Sequence, residues 1–319
     1  MIIDFHACCG NYPRQGRNWR LSDLAHWADL CGIDAVLVES ADARHCSHDA
    51  PHEQLLAACR RTGGRFLPLA TINLESDRQS LAVARLARQR GFAGVVLRGP
   101  IFEDSRVLHT ALHLLNDAPL PIYRTLPYGE MDMMARMARK YPGLRFVAAP
   151  TEFQALELTH QLVDLPNVYL AMARTLICIG QLETACRRMG AQRVLYAGDM
   201  PNGHPARALG VAWDAEIGAA DRRLVLGESA RALLACHGID VRSPERLAAP
   251  PRPPCPVIDM HGHIGSDFRR PDFDHSVAAV VRYLTRAGGT KIYVSDTDAI
   301  MSGYTPAGNR RTANAIRRY

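Results

Sequence analysis

The chain has 319 residues, 47% hydrophobic and 22% charged, the make-up of a globular protein with a packed core. Its net charge of +6 is carried by scattered arginines, with lysine only at Lys140 and Lys291, and this argues against a nucleic-acid partner. No apolar run approaches the ~20 residues needed to span a bilayer, and MIIDFHACC has neither a basic leader nor a small-residue cleavage site, so no membrane partner and a cytoplasmic location are expected.

Short apolar, β-branched runs predict strands at Ile2–His6, Ala35–Glu39, Phe66–Ile72, Gly94–Arg98, Pro121–Thr125, Arg145–Ala149, Val168–Met172 and Arg193–Ala197. Between them, helical spacing predicts helices such as Leu21–Cys31, Leu81–Arg90, Met131–Lys140 and Leu182–Met189. Strand and helix alternating in this way imply a parallel sheet with crossover helices. Nearly continuous apolar strands imply that both sheet faces are buried. Eight such units point to a closed α/β barrel, the (β/α)8 TIM barrel, rather than an open sheet. Cys8-Cys9-Gly10-Asn11 after the first strand is not the glycine-rich turn of a doubly wound fold. The nine cysteines show no paired zinc-ribbon or CxxC spacing, and most read as inert, reduced thiols.

A last helical segment, Asp221–Cys236, precedes a stretch with six prolines between Pro244 and Pro256. Such a stretch reads as a stiff linker. Three parts are expected: a barrel over 1–242, a linker over 243–256, and 257–319. The third repeats the beginning of the first. Ile3-Asp4-Phe5-His6-Ala7-Cys8 returns as Ile258-Asp259-Met260-His261-Gly262-His263, and Leu24–Val38 aligns with Val280–Val294. An offset of about one barrel length reads as tandem duplication. The second copy reaches only two strand–helix units, so it is expected to be a partial, truncated second barrel that is unstable alone.

Ile258-Asp259-Met260-His261-Gly262-His263-Ile264-Gly265 resembles the first-strand metal motif of the amidohydrolase superfamily, nearest the branch that includes aminocarboxymuconate-semialdehyde decarboxylase. Arg193-Val194-Leu195-Tyr196-Ala197-Gly198-Asp199-Met200-Pro201 resembles that family's strand-eight motif, and Leu226–Leu234 its closing helix. The resemblance implies a small-molecule substrate, carboxylated or cyclic, and a divalent metal, with zinc the expected ion. It implies metal ligands at His6, Cys8 and Asp199 in the first copy and at His261 and His263 in the second, with Asp199 also shuttling the proton. It leaves a homo-oligomer open.

The first copy departs from this pattern. Cys8 stands for the second histidine, Arg124 for the strand-five histidine, and Pro150 or Thr151 for the strand-six histidine. A hydrolytic metal site usually needs three or more protein ligands, and a guanidinium cannot become one. His6 therefore also reads as a core histidine bonded to Asp4 or Asp199, and Asp199 as a partner of Arg124. Arg98, Arg124 and Arg174 would form a cationic pocket for a carboxylate or phosphate, unless each pairs with a rim carboxylate such as Glu39, Glu152 or Asp199. His45-Cys46-Ser47-His48 with His52 reads either as a local metal site in the loop after strand two or as a histidine-rich loop. The functional expectation is a metal-dependent hydrolase or non-oxidative decarboxylase. The alternative is an inactive, metal-free barrel that binds ligand for, or supports, an active second copy.

Overall fold

The computed structural model describes residues 1–12, 16–45, 49–89, 91–102, 104–116, 120–127, 130–150, 161–172, 180–241, 255–265, 276–297, 299 and 305–319. Strand β1 is Ile3–Tyr12, and the short β2, Arg17–Trp19, folds back on it antiparallel with Gly10 opposite Trp19. The other strands of this sheet are β3 Ala35–Ser40, β4 Phe66–Asn73, β5 Gly94–Arg98, β6 Ile122–Leu126, β7 Phe146–Pro150, β8 Val168–Met172 and β9 Val194–Tyr196. They follow one another around a nine-stranded sheet, each parallel to its neighbour and β3 parallel to β1. Just beyond β9, Met200 bridges in parallel to Ala7. Cys8 N–H donates to Met200 O at 2.7 Å and Asp199 N–H to His6 O at 3.0 Å, so the ends of the sheet meet.

Burial follows the expected two-sided pattern: every residue of β3 and of β7 is buried. Inside the ring lie Ile3, Phe5, Leu37, Leu69, Val96, Tyr123, Val147 and Leu195, closed at one end by Leu233 and Leu234. Outside it, Val36, Val38, Ile72 and Val95 pack against helix residues such as Leu24, Ala84, Leu108 and Met134. The β1–β3 register slips between Asp4 and Ala7. A slip of this kind breaks the in–out alternation. Phe5 belongs to the inner cluster, and its neighbour His6 also turns inward to stack on Tyr123, ring centroids 4.3 Å apart.

Helix Met131–Lys140 has the predicted bounds, and its apolar stripe of Met131, Met134, Ala135 and Ala138 is buried. The predicted helix Asp221–Cys236 is instead three consecutive pieces: Ala219–Arg223, a π-turn at Leu224–Glu228, and Ser229–Ala235. The π-turn contains Gly227, where a Cβ would stand 2.4 Å from Met1 O, so the bare backbone lets the first residues of the chain pass. β1 runs further than predicted because Ala7, Cys8 and Cys9 continue the pairing with β3 and Gly10, Asn11 and Tyr12 pair with β2. Among the described residues no helix is long and apolar enough to cross a membrane.

Residues 257–319 carry a separate two-stranded sheet of β10, Val257–Ile264, and β11, Gly289–Asp296, again parallel. Its register slips between Asp259 and Gly262, positions that align in sequence with Asp4 and Ala7, where the β1–β3 register slips. Asp259 Oδ1 accepts the His261 N–H at 3.0 Å, as Asp4 Oδ1 accepts the His6 N–H at 3.1 Å. Helix Val277–Arg286, capped by Ser276, faces the barrel: Tyr283 Oη donates to Glu183 Oε1 at 2.5 Å, and Arg282 Nε to Glu216 Oε1 at 2.6 Å. Ile258, Met260 and Tyr293 remain exposed. Of the linker, only Cys255 and Pro256 are among the described residues.

Two strands with an uncovered face protect their amides poorly. Hydrogen exchange across Ile258–His263 is expected to be at least about tenfold faster than across Val36–Val38, and Tyr283→Phe is expected to speed it further. Equal protection in both segments would contradict this.

Candidate active site

Parallel strands around a ring put all their C-terminal ends on one rim, where barrels of this kind carry their chemistry. His6 from β1, Glu39 from β3, Thr71 from β4, Arg98 from β5 and Asp199 after β9 converge there. Asp199 has φ +53°, in the left-handed region that a non-glycine residue enters only when its surroundings hold it there. Asn202 Nδ2 donates to its Oδ1 at 3.5 Å.

His6 is 1% exposed, and both ring nitrogens face carboxylates: Nδ1 lies 3.1 Å from Asp199 Oδ1 and Nε2 lies 2.9 Å from Glu39 Oε1. With a carboxylate oxygen against each nitrogen, the arrangement favours a proton on both sides of the ring. Glu39 is wholly buried. Arg44 Nη2 reaches its Oε1 at 2.5 Å, Arg98 Nη2 contacts the same oxygen, and Thr71 Oγ1 donates to Oε2 at 3.1 Å. Arg98 also donates from Nη1 to Thr125 at 3.3 Å and lies with Nη2 3.3 Å from His6 Nε2.

The electrostatics follow from this arrangement. Burial alone would push the Glu39 carboxyl up, yet Arg44, then Arg98 and His6, hold it well below the usual range. Burial alone would push the His6 imidazole down, but its bonds to Asp199 and Glu39 raise it instead. Behind them Asp4 is fully buried, and burial drives its carboxyl up to about 7 despite accepting the Gly198 and His6 N–H groups.

These residues do not fit a divalent metal held by the family's ligand pattern. A carboxylate oxygen stands against each ring nitrogen of His6, leaving neither open to an ion, and the Cys8 thiol is buried and pushed far up, first by burial and then by Glu39, which disfavours the thiolate a metal needs. Arg124 does not reach Asp199, as one sequence reading had it. It donates to Glu130 Oε2 at 2.6 Å and to the Leu97 and Gly99 carbonyls, because Glu130 lies just ahead of the next helix, within reach of the end of β6. Pro150 ends β7. Among the described residues no group of three or more His, Cys, Asp or Glu is placed to hold a metal.

Arg174, Glu152, Thr151 and Cys46–His48 lie outside the described residues. His52 is not in a loop: it sits in helix Asp49–Arg60, fully buried, with Nε2 accepting the Thr71 N–H at 3.0 Å. His261 and His263 are on β10, with Nε2 atoms 3.0 Å apart and His263 Nδ1 2.9 Å from Ser295 Oγ. The sequence reading missed Arg44, Thr71 and Tyr123 and treated Glu39 only as a rim partner. The Glu39–Arg44 spacing belongs to no helical or strand period that would have flagged it.

Stability should follow the charges of this network. His6, with its folded pKa raised, stabilises most below its unfolded value and loses that contribution as pH rises through the folded one. Glu39, with its folded pKa depressed, stabilises above its unfolded value and loses that contribution as pH falls through the folded one. A nitrogen-detected NMR titration should therefore show His6 protonated above the ordinary histidine midpoint and shifted down in Glu39→Gln. His6→Ala, which leaves two carboxylates one partner short, should cost about 3–5 kcal/mol in chemical denaturation.

Comparison with known proteins places this barrel. A family profile described as Amidohydrolase matches residues 29–235. Comparison with curated proteins finds no match. Among solved structures, 2,6-dihydroxybenzoate decarboxylase from Rhizobium shares 16% identity at a TM-score of 0.59, covering 74% of this chain and 98% of that one. 5-Carboxyvanillate decarboxylase from Sphingomonas paucimobilis shares 13% identity at 0.61, covering 73% and 98%. A dihydroxybenzoic acid decarboxylase from Polaromonas, with bound manganese and the inhibitor 2-nitroresorcinol, shares 15% at 0.60, covering 73% and 96%. Identities this low speak for the fold alone. The profile spans well over half of the sequence, and on that ground the chain belongs to the amidohydrolase family.

Proposed function

We propose that the barrel is a carboxy-lyase or hydrolase acting on a small, carboxylated or cyclic molecule at the rim around His6. The observation that carries this reading is the His6 ring fixed between Asp199 and Glu39 beside two arginines. Arg98 and Arg44 keep about a fifth of their side chains exposed, enough to face an anionic group arriving at the mouth. In a decarboxylation the bond to the carboxylate carbon breaks, CO2 leaves, and the electron pair stays on carbon and takes a proton. In a hydrolysis water adds to the substrate carbon and loses a proton to Asp199, the bond to the leaving group breaks, and the leaving group takes a proton. In either case the Asp199–His6 couple supplies it, Asp199 facing the mouth and His6 holding the charge behind it. Neighbours of the same fold that act on dihydroxybenzoates and 5-carboxyvanillate support an aromatic acid as first substrate class.

Residues 257–319 are, in the same reading, the start of a second copy of the domain. The shared register slip and the shared Asp–His backbone bond support it.

The test is turnover of 2,6-dihydroxybenzoate, 5-carboxyvanillate and small cyclic esters and amides, followed by CO2 release and product chromatography. Asp199→Asn should lower kcat about 100-fold or more with KM nearly unchanged, while Arg98→Met should raise KM about tenfold. Tight binding of these acids without turnover of any substrate would instead mark an inert barrel serving the second copy.

A further inference from the structure

Glu39 is the most heavily engaged group on the rim among the described residues. Its Oε1 accepts from His6 Nε2 at 2.9 Å, from Arg44 Nε at 3.1 Å and Nη2 at 2.5 Å, and from Arg98 Nη2. Its Oε2 accepts from Arg98 Nε at 3.3 Å and from Thr71 Oγ1 at 3.1 Å. A carboxylate offers about four lone-pair directions, and these donors use them up. The ring of His6 is in the same position, with a carboxylate oxygen against each nitrogen. An ion bound to Nε2 would lie ahead of that atom, where the Arg98 guanidinium stands 3.3 Å away, pinned on its other edge by Thr125. Arginine keeps its proton at any working pH, so it fills this space with permanent charge and cannot become a ligand.

We infer that Arg98, backed by Arg44, supplies in this barrel the positive charge that a divalent metal would bring, and that these guanidinium groups keep such an ion out of the rim. Glu39 is then the carboxylate that holds the guanidinium groups in place, and the rim carries a fixed cation that needs no loading. This separates the chain from the Polaromonas neighbour, whose structure holds manganese, while leaving the fold unchanged.

The test uses the full chain with His261→Ala and His263→Ala, since that exposed histidine pair could take up metal by itself. After purification without chelator, elemental analysis should find well under one equivalent of zinc or manganese, and neither Mn2+ nor EDTA should move Tm. Adding Arg98→Met should open the space ahead of His6 Nε2 and one edge of Glu39 and so create binding, with Mn2+ raising Tm and binding at least about tenfold more tightly than in the parent. One tightly held equivalent in the parent, lost in His6→Ala or on EDTA treatment with a fall in Tm, would overturn the inference. So would a folded Arg98→Met chain that binds Mn2+ no better than its parent. If Arg98→Met does not fold, the metal content and Tm of the parent decide. None of these readouts depends on turnover, so this inference and the proposed activity can fail separately.

Discussion

A single buried carboxylate, Glu39, organises the mouth of this barrel. It lies at the end of β3 with no exposure to solvent, and several cationic or hydroxyl donors converge on it from four other elements. Taking one carboxylate out of water costs several kcal/mol even after relaxation. The cluster around Glu39 is the compensation, and its net contribution to stability is therefore small. What it fixes is geometry. Because Arg44, Arg98 and His6 all bond to the same buried carboxylate, they are held in one arrangement around it.

That arrangement in turn depends on the backbone. In an unbroken strand Phe5 and His6 would point to opposite faces, and His6 would face the helices. The register slip after Asp4 turns His6 inward onto Tyr123, while the left-handed turn at Asp199 brings the second carboxylate to its far side. The positive φ of Asp199 is strain held by closure of the ring, where Asp199 N–H bonds to His6 O. Site and closure are the same piece of structure.

Much of this fold is legible in the sequence because parallel strands buried on both faces leave a plain signal. Runs such as Ala-Val-Leu-Val and Gly-Val-Val-Leu hardly permit another reading. His6, Arg98 and Asp199 could be placed on one rim because each stands at or near the end of such a run. Their partners were less legible. Arg44 lies in the short helix Ala41–His45, whose pattern announces nothing, and it finds Glu39 only after the chain turns over the rim. Arg124 was read by the family position it occupies, whereas Glu130, six residues on, decides where it points. The slip at His6 leaves no trace in composition or period, since a bulge is set by pairing across strands.

Asp4 shows how the two ends of the sheet are held in register from behind. Its Oδ1 accepts the N–H of His6 on β1 and that of Gly198, one residue before Asp199, at 2.7 Å. One oxygen thus ties together the backbones that carry His6 and Asp199. Its other oxygen is buried with no partner among the described residues, and burial lifts the carboxyl to about 7. A Cβ on Gly198 would stand 2.5 Å from that oxygen, so the approach is possible only for glycine. Asp259 repeats the first half of this device with the N–H of His261 on β10. In the barrel the second half, Gly198, arrives from the strand that closes the ring, so Asp4 can set the spacing of His6 and Asp199 only once closure has occurred. On β10 the Asp259 carboxylate bonds the His261 N–H across its own bulge, and His261 and His263 lie exposed while His6 is buried.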